Sequence, residues 1–526
     1  MNPNQSGTLR VVTNYLRLVS TLVIGLFVVR MLLRYGDDAY SLIALLGTGT
    51  GLALVLKEVV RTSTVPVLGE AFHSKQEGWF EEVFNSAMIS SLVAGLATLL
   101  IFGIFALCLP LLDFPEKLNN AALIFVAASA IQSFFTVAIA PLFNFYVVSE
   151  RMVAYNAFLF FERFGDILSA LLTFLIVGIG SEKASSAIIC YGICAASSAI
   201  LVNIVAGIMI IKADRRLIPA PSKISRKAIS AFMQSAGWNS IVVVAMNFYA
   251  RIDMVIMNLF FGPFGNMVFS MANQAVSYMR QLVIGLVAGI DAVASRVSNT
   301  DKDTAVVKLI NRSTGLQSMI VFPTMVVLLY FAEPLVEAWL YNRGDNPEKT
   351  NPAICWLMRV LVFGVGARCL SEGWIWIMNG AGKVKKYAPV VLIGGILNPI
   401  LAYVALKVAP EDYKFAAPAI VFSILLFSVH LIAIPAIVAR EYNISFTTVI
   451  EPLWKPALAA AVCFGIAFAA TRFLDDELTR NLLLAVLFAI GYALVALFLL
   501  LEAQDRHNIL GFLGKINLMK KKKDLA

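Results

Sequence analysis

Between Asn247 and Arg296 the chain runs through two long apolar stretches parted by Gly262-Pro263, and both carry polar groups that lipid does not tolerate. About 20 apolar residues suffice to cross a bilayer, so each stretch reads as a membrane-spanning helix. On the first, Ser240, Asn247, Arg251 and Asn258 recur at intervals of seven and four and so share one face. On the second, Ser270, Asn273, Ser277 and Arg280 do the same, flanked by Gln274, Tyr278 and Gln281. An arginine facing lipid at mid-membrane costs roughly 3 kcal/mol or more. The two polar faces are therefore expected to look into a protein-lined, wet space that the rest of the chain builds.

Composition sets the class. Of 526 residues, 59% are hydrophobic and 14% charged, and the mean hydropathy is +0.81. This is an all-α polytopic membrane protein and excludes a soluble domain. At about 35–40 residues per span and loop, the length predicts about 14 transmembrane helices. The net charge of +9 does not call for a nucleic-acid partner, because lysine and arginine gather in alternate loops, as the positive-inside rule demands. The basic side holds Lys212–Lys227, Lys302–Arg312, Lys383–Lys386, Lys520–Lys523 and both termini, which places both termini in the cytoplasm. Asn14, Arg17 and Ser20 interrupt the first apolar run and no small-x-small cleavage site follows, so the first helix is expected to stay as a signal anchor.

Cys190 and Cys194 share a helix face without His or an acid beside them, and His73, His430 and His507 lie far apart. Neither pattern makes a metal site, and no metal or cofactor is expected. The basic stretch with Pro219 and Pro221 divides the chain into an N-lobe of six helices over 1–211, a cytoplasmic linker over 212–227 and a C-lobe of six helices over 228–438. Two further helices follow over 439–502, then a basic cytoplasmic tail over 503–526 whose Ile509–Met519 segment is expected to lie on anionic membrane lipid. A shift of roughly 226 residues lays Gly36 on Gly262 and Asn85 on Asn311, the internal symmetry of repeat-built transporters. It also brings Lys57 within one turn of the position equivalent to Arg280.

Inside the spans stand Arg17, Arg30, Lys57, Arg163, Arg251, Arg280, Arg359 and Arg368, against the acids Glu58, Glu162, Asp166, Asp253, Asp291 and Glu372. Arg30 and Arg359 lie near helix ends and are expected to snorkel. Arg163 can pair with Asp166 and Arg368 with Glu372 along their own helices. Glu58 can serve Lys57 or Arg61. Arg280 has no acid within one turn, which leaves an interhelical bridge to Asp253 or Glu372, or an anion from outside the chain. A deep cavity with more cations than acids favours the anion, and phosphate accepts bidentate hydrogen bonds from arginine. The candidate substrate-binding residues are Arg17, Lys57 and Arg280, with Arg251, Arg368, Asn247, Asn273, Ser277 and Gln281. Glu162 and Asp166 are the candidates for a coupling ion.

Val28-Val-Arg-Met-Leu-Leu-Arg-Tyr-Gly36 followed by Tyr40-Ser-Leu resembles the opening of the polysaccharide transporter family in the MOP superfamily. Asp253-Met-Val-Ile-Met and Phe260-Phe-Gly262 are similar to that family's seventh helix, Leu335-Val-Glu-Ala-Trp-Leu340 to its segment after helix nine, and Met378-Asn-Gly-Ala-Gly-Lys383 to its loop after helix ten. The chain departs from the pattern at Asp37-Asp38-Ala39 and in lacking a proline around Asp291–Ser295.

The resemblance implies a MATE-like MOP fold of two six-helix lobes plus two C-terminal helices, in a bacterial inner membrane. It also implies a flippase that carries a polyprenyl-diphosphate-linked oligosaccharide to the outer leaflet for surface polysaccharide biosynthesis. Polysaccharide polymerase and glycosyltransferases would be its partners. Cations on helices one, two and eight would hold the diphosphate, and Arg17, Lys57 and Arg280 stand on those helices. The alternative on the same fold is a cation-coupled multidrug exporter, with Glu162 or Asp166 exposed to the drug. An enzyme is not expected: the longest outer loop, Ala332–Pro352, holds Glu333, Glu337, Asp345 and Glu348 but no His.

Overall fold

The computed structural model describes residues 3–74, 76–149, 151–287, 303–341 and 344–502, with 290, 293, 294, 297 and 506. Among them there is no strand. The helices in chain order are α1 (Pro3–Leu32), α2 (Asp37–His73), α3 (Trp79–Cys108), α4 (Asn119–Ala138), α5 (Ala140–Val148), α6 (Met152–Val177), α7 (Ala184–Ala213) and α8 (Arg226–Val287). There follow α9 (Asp303–Tyr330), α10 (Ala332–Leu340), α11 (Pro347–Gly380), α12 (Val384–Val408), α13 (Glu411–Lys414), α14 (Ala417–Phe427), α15 (Ile434–Glu441), α16 (Phe446–Thr471) and α17 (Glu477–Val495). Apart from Arg506, the expected basic tail lies outside the described residues, as does Asp291.

Eleven stretches among the described residues are long and apolar enough to cross a membrane, and one of them, Ser240–Leu286, turns a corner inside α8. The protein is a multi-pass membrane protein. Gly262 makes the corner at φ 63°, ψ −160°, a left-handed setting that side chains with a Cβ resist. A Cβ there would also lie 2.9 Å from Asp113 Oδ2. Gly36, its partner under the repeat, sits at φ 97° between α1 and α2, so both glycines turn one helix into the next. Residues 119–148 form two helices, α4 and α5. Pro141 stands in the first turn of α5, where it cannot donate to the turn before it.

Two helices of spanning length, α2 and α6, fall outside the apolar set. Lys57, Glu58 and Arg61 stand near the middle of one, and Glu162, Arg163 and Asp166 near the middle of the other. They hold the candidate site.

The chain divides into two compact units. The first comprises Met1–Gln281, Glu333–Gly364 and Val384–Val429. Its core includes Phe72, Phe80, Phe84 and Phe145, with Phe143 stacked on Phe158 at 3.9 Å. The segment between α7 and α8 is fastened to this core. Asn85 Oδ1 accepts from the Ala220 N–H at 2.5 Å, and Ser86 Oγ accepts from the Ser225 N–H at 2.8 Å. Arg216 lies over the rings of Phe72 and Phe80 at 5.6 and 5.0 Å. Its bonds to Asp214 hold that carboxyl below the usual carboxylate range.

The second unit comprises Leu282–Ala332, Val365–Lys383 and His430–Ala526. In it α16 packs on α9 and α17 around Phe331, Phe488 and Tyr492. Ser445 and Asp476 cap α16 and α17, each accepting a backbone N–H of the first turn, as capping residues do.

Candidate functional site

The charged middles of α2 and α6 face each other inside the first unit. Lys57 Nζ lies 3.5 Å from Glu162 Oε1, and Arg163 Nη1 lies 3.2 Å from Asp166 Oδ2. Glu58 is taken by Arg61 at 2.5 Å, so it does not serve Lys57. Helix α1 packs along α6 and brings in Arg17, whose charge and that of Arg163 act on each other. The first arm of α8 brings in Arg251, which Arg163 also repels. Its guanidinium rests against α2 at Gly51, where a Cβ would stand 2.5 Å from Nε and 2.6 Å from Cζ.

Four cations, Arg17, Lys57, Arg163 and Arg251, thus share this region with the carboxylates of Glu162 and Asp166. Each carboxylate has its own cation. Arg17 donates from Nη2 to Asn14 Oδ1 at 2.8 Å, and its buried Nε has no partner among the described residues. Neither Arg17 nor Arg251 has a carboxylate in ion-pair range among them. The phenol of Tyr155 stands close to Arg17 and that of Tyr278 to Arg163. Tyr278 accepts from Gln274 Nε2 at 2.9 Å and packs into a gap left by Gly25. The region can bind an anion through half-buried and exposed guanidinium and ammonium donors, with amides and phenols beside them.

Of the residues singled out from sequence, Arg17, Lys57, Arg251, Glu162 and Asp166 come together here. Arg280, Asn273, Ser277 and Gln281 lie half-buried on the second arm of α8. Asn247 donates to its own helix at Val243 O. Arg368 belongs to the second unit, 3.8 Å from Glu372, which also accepts from Trp376 Nε1 at 3.3 Å.

The polar faces of α8 divide in use. Asn258, expected to face the cavity, holds the backbone N–H and C=O of Asp113, each at 2.9 Å. Asn266 bonds Ser41 O, Ser41 Oγ bonds Pro263 O, and Ser270 bonds Tyr40. Arg359, expected to snorkel, instead meets Glu333 at 2.5 Å, because α10 folds back beside the start of α11. Arg30 stands over the ring of Tyr341 at 5.3 Å.

Sequence reasoning set Arg163 aside as locally paired and did not see that its charge also acts on Arg17 and Arg251. It also missed the pairing of Asp253 on α8 with Asn398 on α12, Nδ2 to Oδ1 at 2.9 Å. Both residues are fully buried, and Asp253 Oδ2 and Asn398 Oδ1 have no partner among the described residues. The available signal was an Asn-Pro step inside an apolar run, Asn398-Pro399.

No known family pattern matches the sequence, and no curated protein matches it. Solved structures do. The lipid II flippase MurJ, in an inward closed conformation, aligns over 92% of this chain and 99% of its own, with TM-score 0.66 and 15% identity. The chain has the fold of MOP-superfamily transporters. A multidrug resistance MATE family transporter in an inward-facing conformation aligns over 81% of this chain and 98% of its own, at TM-score 0.66 and 13% identity. A MOP superfamily transporter from Pyrococcus furiosus, whose binding pocket is described as reversed in polarity, aligns over 82% and 96% at TM-score 0.61 and 13% identity. These neighbours are a flippase and transporters.

Proposed function

We propose that the protein is a flippase that moves a polyprenyl-diphosphate-linked oligosaccharide from the cytoplasmic to the outer leaflet of a bacterial inner membrane, by alternating access of two six-helix lobes. The observation that carries this is the pair of half-buried guanidiniums, Arg17 and Arg251, which stand beside the ion-paired Lys57 and Arg163 without carboxylates of their own among the described residues. Uncompensated charge withdrawn from water is costly, and a diphosphate supplies the missing negative charge in a form arginine binds bidentately. Arg280 and the amides of α8 would extend the site toward the sugars. The lipid II flippase covers a larger share of this chain than the MATE transporter does, as expected where two C-terminal helices follow the lobes. Those helices would accommodate the prenyl tail, and a polymerase and glycosyltransferases would stand downstream and upstream of transport.

The second reading, a cation-coupled drug exporter, is favoured by the equal TM-score of the MATE neighbour. It requires a carboxylate free to meet a cationic drug, and Glu162 and Asp166 are both ion-paired. For the same reason Asp253 is the better candidate for a coupling ion.

The deciding experiment uses the full chain in lipid nanodiscs with undecaprenyl diphosphate as ligand. Losing a charge-assisted contact of about 1.5–3 kcal/mol means Arg17→Gln and Arg251→Gln should each weaken binding roughly ten- to a hundredfold. Parent affinity in the double variant, or saturable binding of a cationic dye in place of undecaprenyl diphosphate, would overturn the flippase reading.

A further inference from the structure

At the corner between α1 and α2, two loops 308 residues apart in sequence hold each other by exchanged backbone bonds. The Asp37 N–H donates to Asp345 Oδ2 at 3.0 Å, and the Asp345 N–H donates to Asp37 Oδ1 at 3.1 Å. Each aspartate follows a glycine with positive φ, Gly36 at 97° and Gly344 at 104°. A Cβ on Gly344 would stand 2.7 Å from Asp37 Oδ1, so the approach needs glycine there. The same end of the first unit is tied by Ser41 and Asn266, by Asp113 and Asn258, and by Trp339 Nε1 to Leu26 O at 3.1 Å. Among these ties the exchanged aspartates alone bring two carboxylates together.

We propose that Asp37 and Asp345 form a proton-operated latch that closes this end of the transporter in acid and releases it as the medium becomes alkaline. In the closed state Asp37 loses water and faces Asp345 and Asp38, both of its own sign, while the Asp345 N–H partly offsets this. Among the described residues, the other charges on the elements packed around it are Arg34 before Gly36, Glu182 and Lys183 on the turn beside it, and Glu348 and Lys349 after Asp345. Among the described residues, only the two aspartates bear appreciably on Asp37. A proton on Asp37 removes the repulsion and leaves Oδ1 as an acceptor, so the exchanged bonds survive.

The carboxyl of Asp37 is pushed from 3.8 up to about 6 in the closed latch, chiefly by burial. A group whose pKa is raised in one state favours that state below its ordinary pKa, and the preference fades as pH rises through the raised value. Closure is thus fully favoured below about pH 4 and lost through about pH 6. Asp345 remains open to solvent, which limits the change in the closed-to-open ratio to roughly ten- to thirtyfold. On the topology proposed above this end faces outside, so the latch would slow outward opening in an acid medium.

The test reads distance, not transport, and so does not depend on the cargo. Spin labels at Glu182→Cys, on the turn beside Asp37, and at Glu348→Cys, just after Asp345, in the full chain with its native cysteines replaced, report in nanodiscs how far the Asp345 loop stands from the corner. The parent should show one short distance near pH 4.5 and a second, longer population near pH 7.5. Asp37→Asn keeps the acceptor but cannot titrate, and should stay closed at both. Asp345→Asn removes one repelling charge and should raise the closed fraction near pH 7.5. An unchanged parent distance between the two pH values overturns the latch, as does a full pH response in Asp37→Asn. Should Asp37→Asn not fold, a parent-like closed fraction in Asp345→Asn overturns it equally.

Discussion

Lys57 of α2 and Glu162 of α6 meet at 3.5 Å, each with about a fifth of its side chain exposed. That contact makes the anion-binding candidate and the coupling candidate one unit. It also explains how two helices with charged middles coexist with lipid: each charge has a partner, Lys57 and Glu162 across the two helices and Glu58–Arg61 and Arg163–Asp166 along their own. A carboxylate that neutralises Lys57 is poorly placed to bind and release a coupling ion on every cycle.

The pair should behave as a pair. Lys57→Met and Glu162→Gln each leave one partly buried charge without its partner, while the double variant removes both. Thermal unfolding of the purified protein should show the double variant more stable than the sum of the single losses, by about 0.5–3 kcal/mol. Additivity within about 0.5 kcal/mol would mean the two side chains are neighbours without an interaction.

Gly51 tests the placement of Arg251 without altering any charge. An alanine methyl would overlap Nε, Cζ and Nη2 of Arg251, the far end of a flexible side chain that can swing aside. Gly51→Ala should therefore keep the parent's melting temperature while weakening undecaprenyl diphosphate binding by roughly tenfold, the equivalent of about 1.4 kcal/mol. Retained affinity would place the guanidinium outside the anion site.

The corner at Gly262, the in-span cations on α1, α2 and α8, and the local pair Arg163–Asp166 were legible because each depends on residues close in sequence or on helical period. What the period cannot give is which side chains of different helices meet. Asn247, Arg251 and Asn258 share a face by spacing, yet Arg251 lies against Gly51 while Asn258 holds the Asp113 backbone. Helices α2 and α6 were legible as spans from length, but their mutual neutralisation rests on a contact between positions 105 residues apart in sequence. Asp253 was seen only as a possible partner for arginine, since nothing near it in sequence announces Asn398.

The segment before α8 should be rigid. Asn85 is buried, donates to Glu81 O at 2.7 Å and accepts the Ala220 N–H. Asn85→Ala would strand that N–H at a cost of about 1–3 kcal/mol. Trypsin should then cut at the basic residues between Arg215 and Lys227 several times faster than in the parent, in detergent and without prior unfolding. Equal cleavage rates would show that the bond does not hold the segment.

Asp253 offers the sharpest test of how buried charge is managed in the C-terminal half of the first unit. Its Oδ1 accepts from Asn398, its Oδ2 has no partner among the described residues, and the core around it is formed by Ile256, Ala402, Leu406 and Ala417. An ionised carboxylate there would be expensive unless a cation stood beside it. A neutral carboxyl would cost little, because one oxygen still accepts the Asn398 amide. Asparagine at this position keeps that acceptor and the side chain's shape, so Asp253→Asn should match or exceed the parent's melting temperature in sodium-free and sodium-containing buffer alike. Asp253→Ala leaves the Asn398 amide buried and unbonded and should lose about 1–3 kcal/mol. If Asp253→Asn falls as far as Asp253→Ala, and the parent alone is stabilised by sodium, then the carboxylate is charged and balanced by a bound cation. The side chain would then take a metal ion and not a proton.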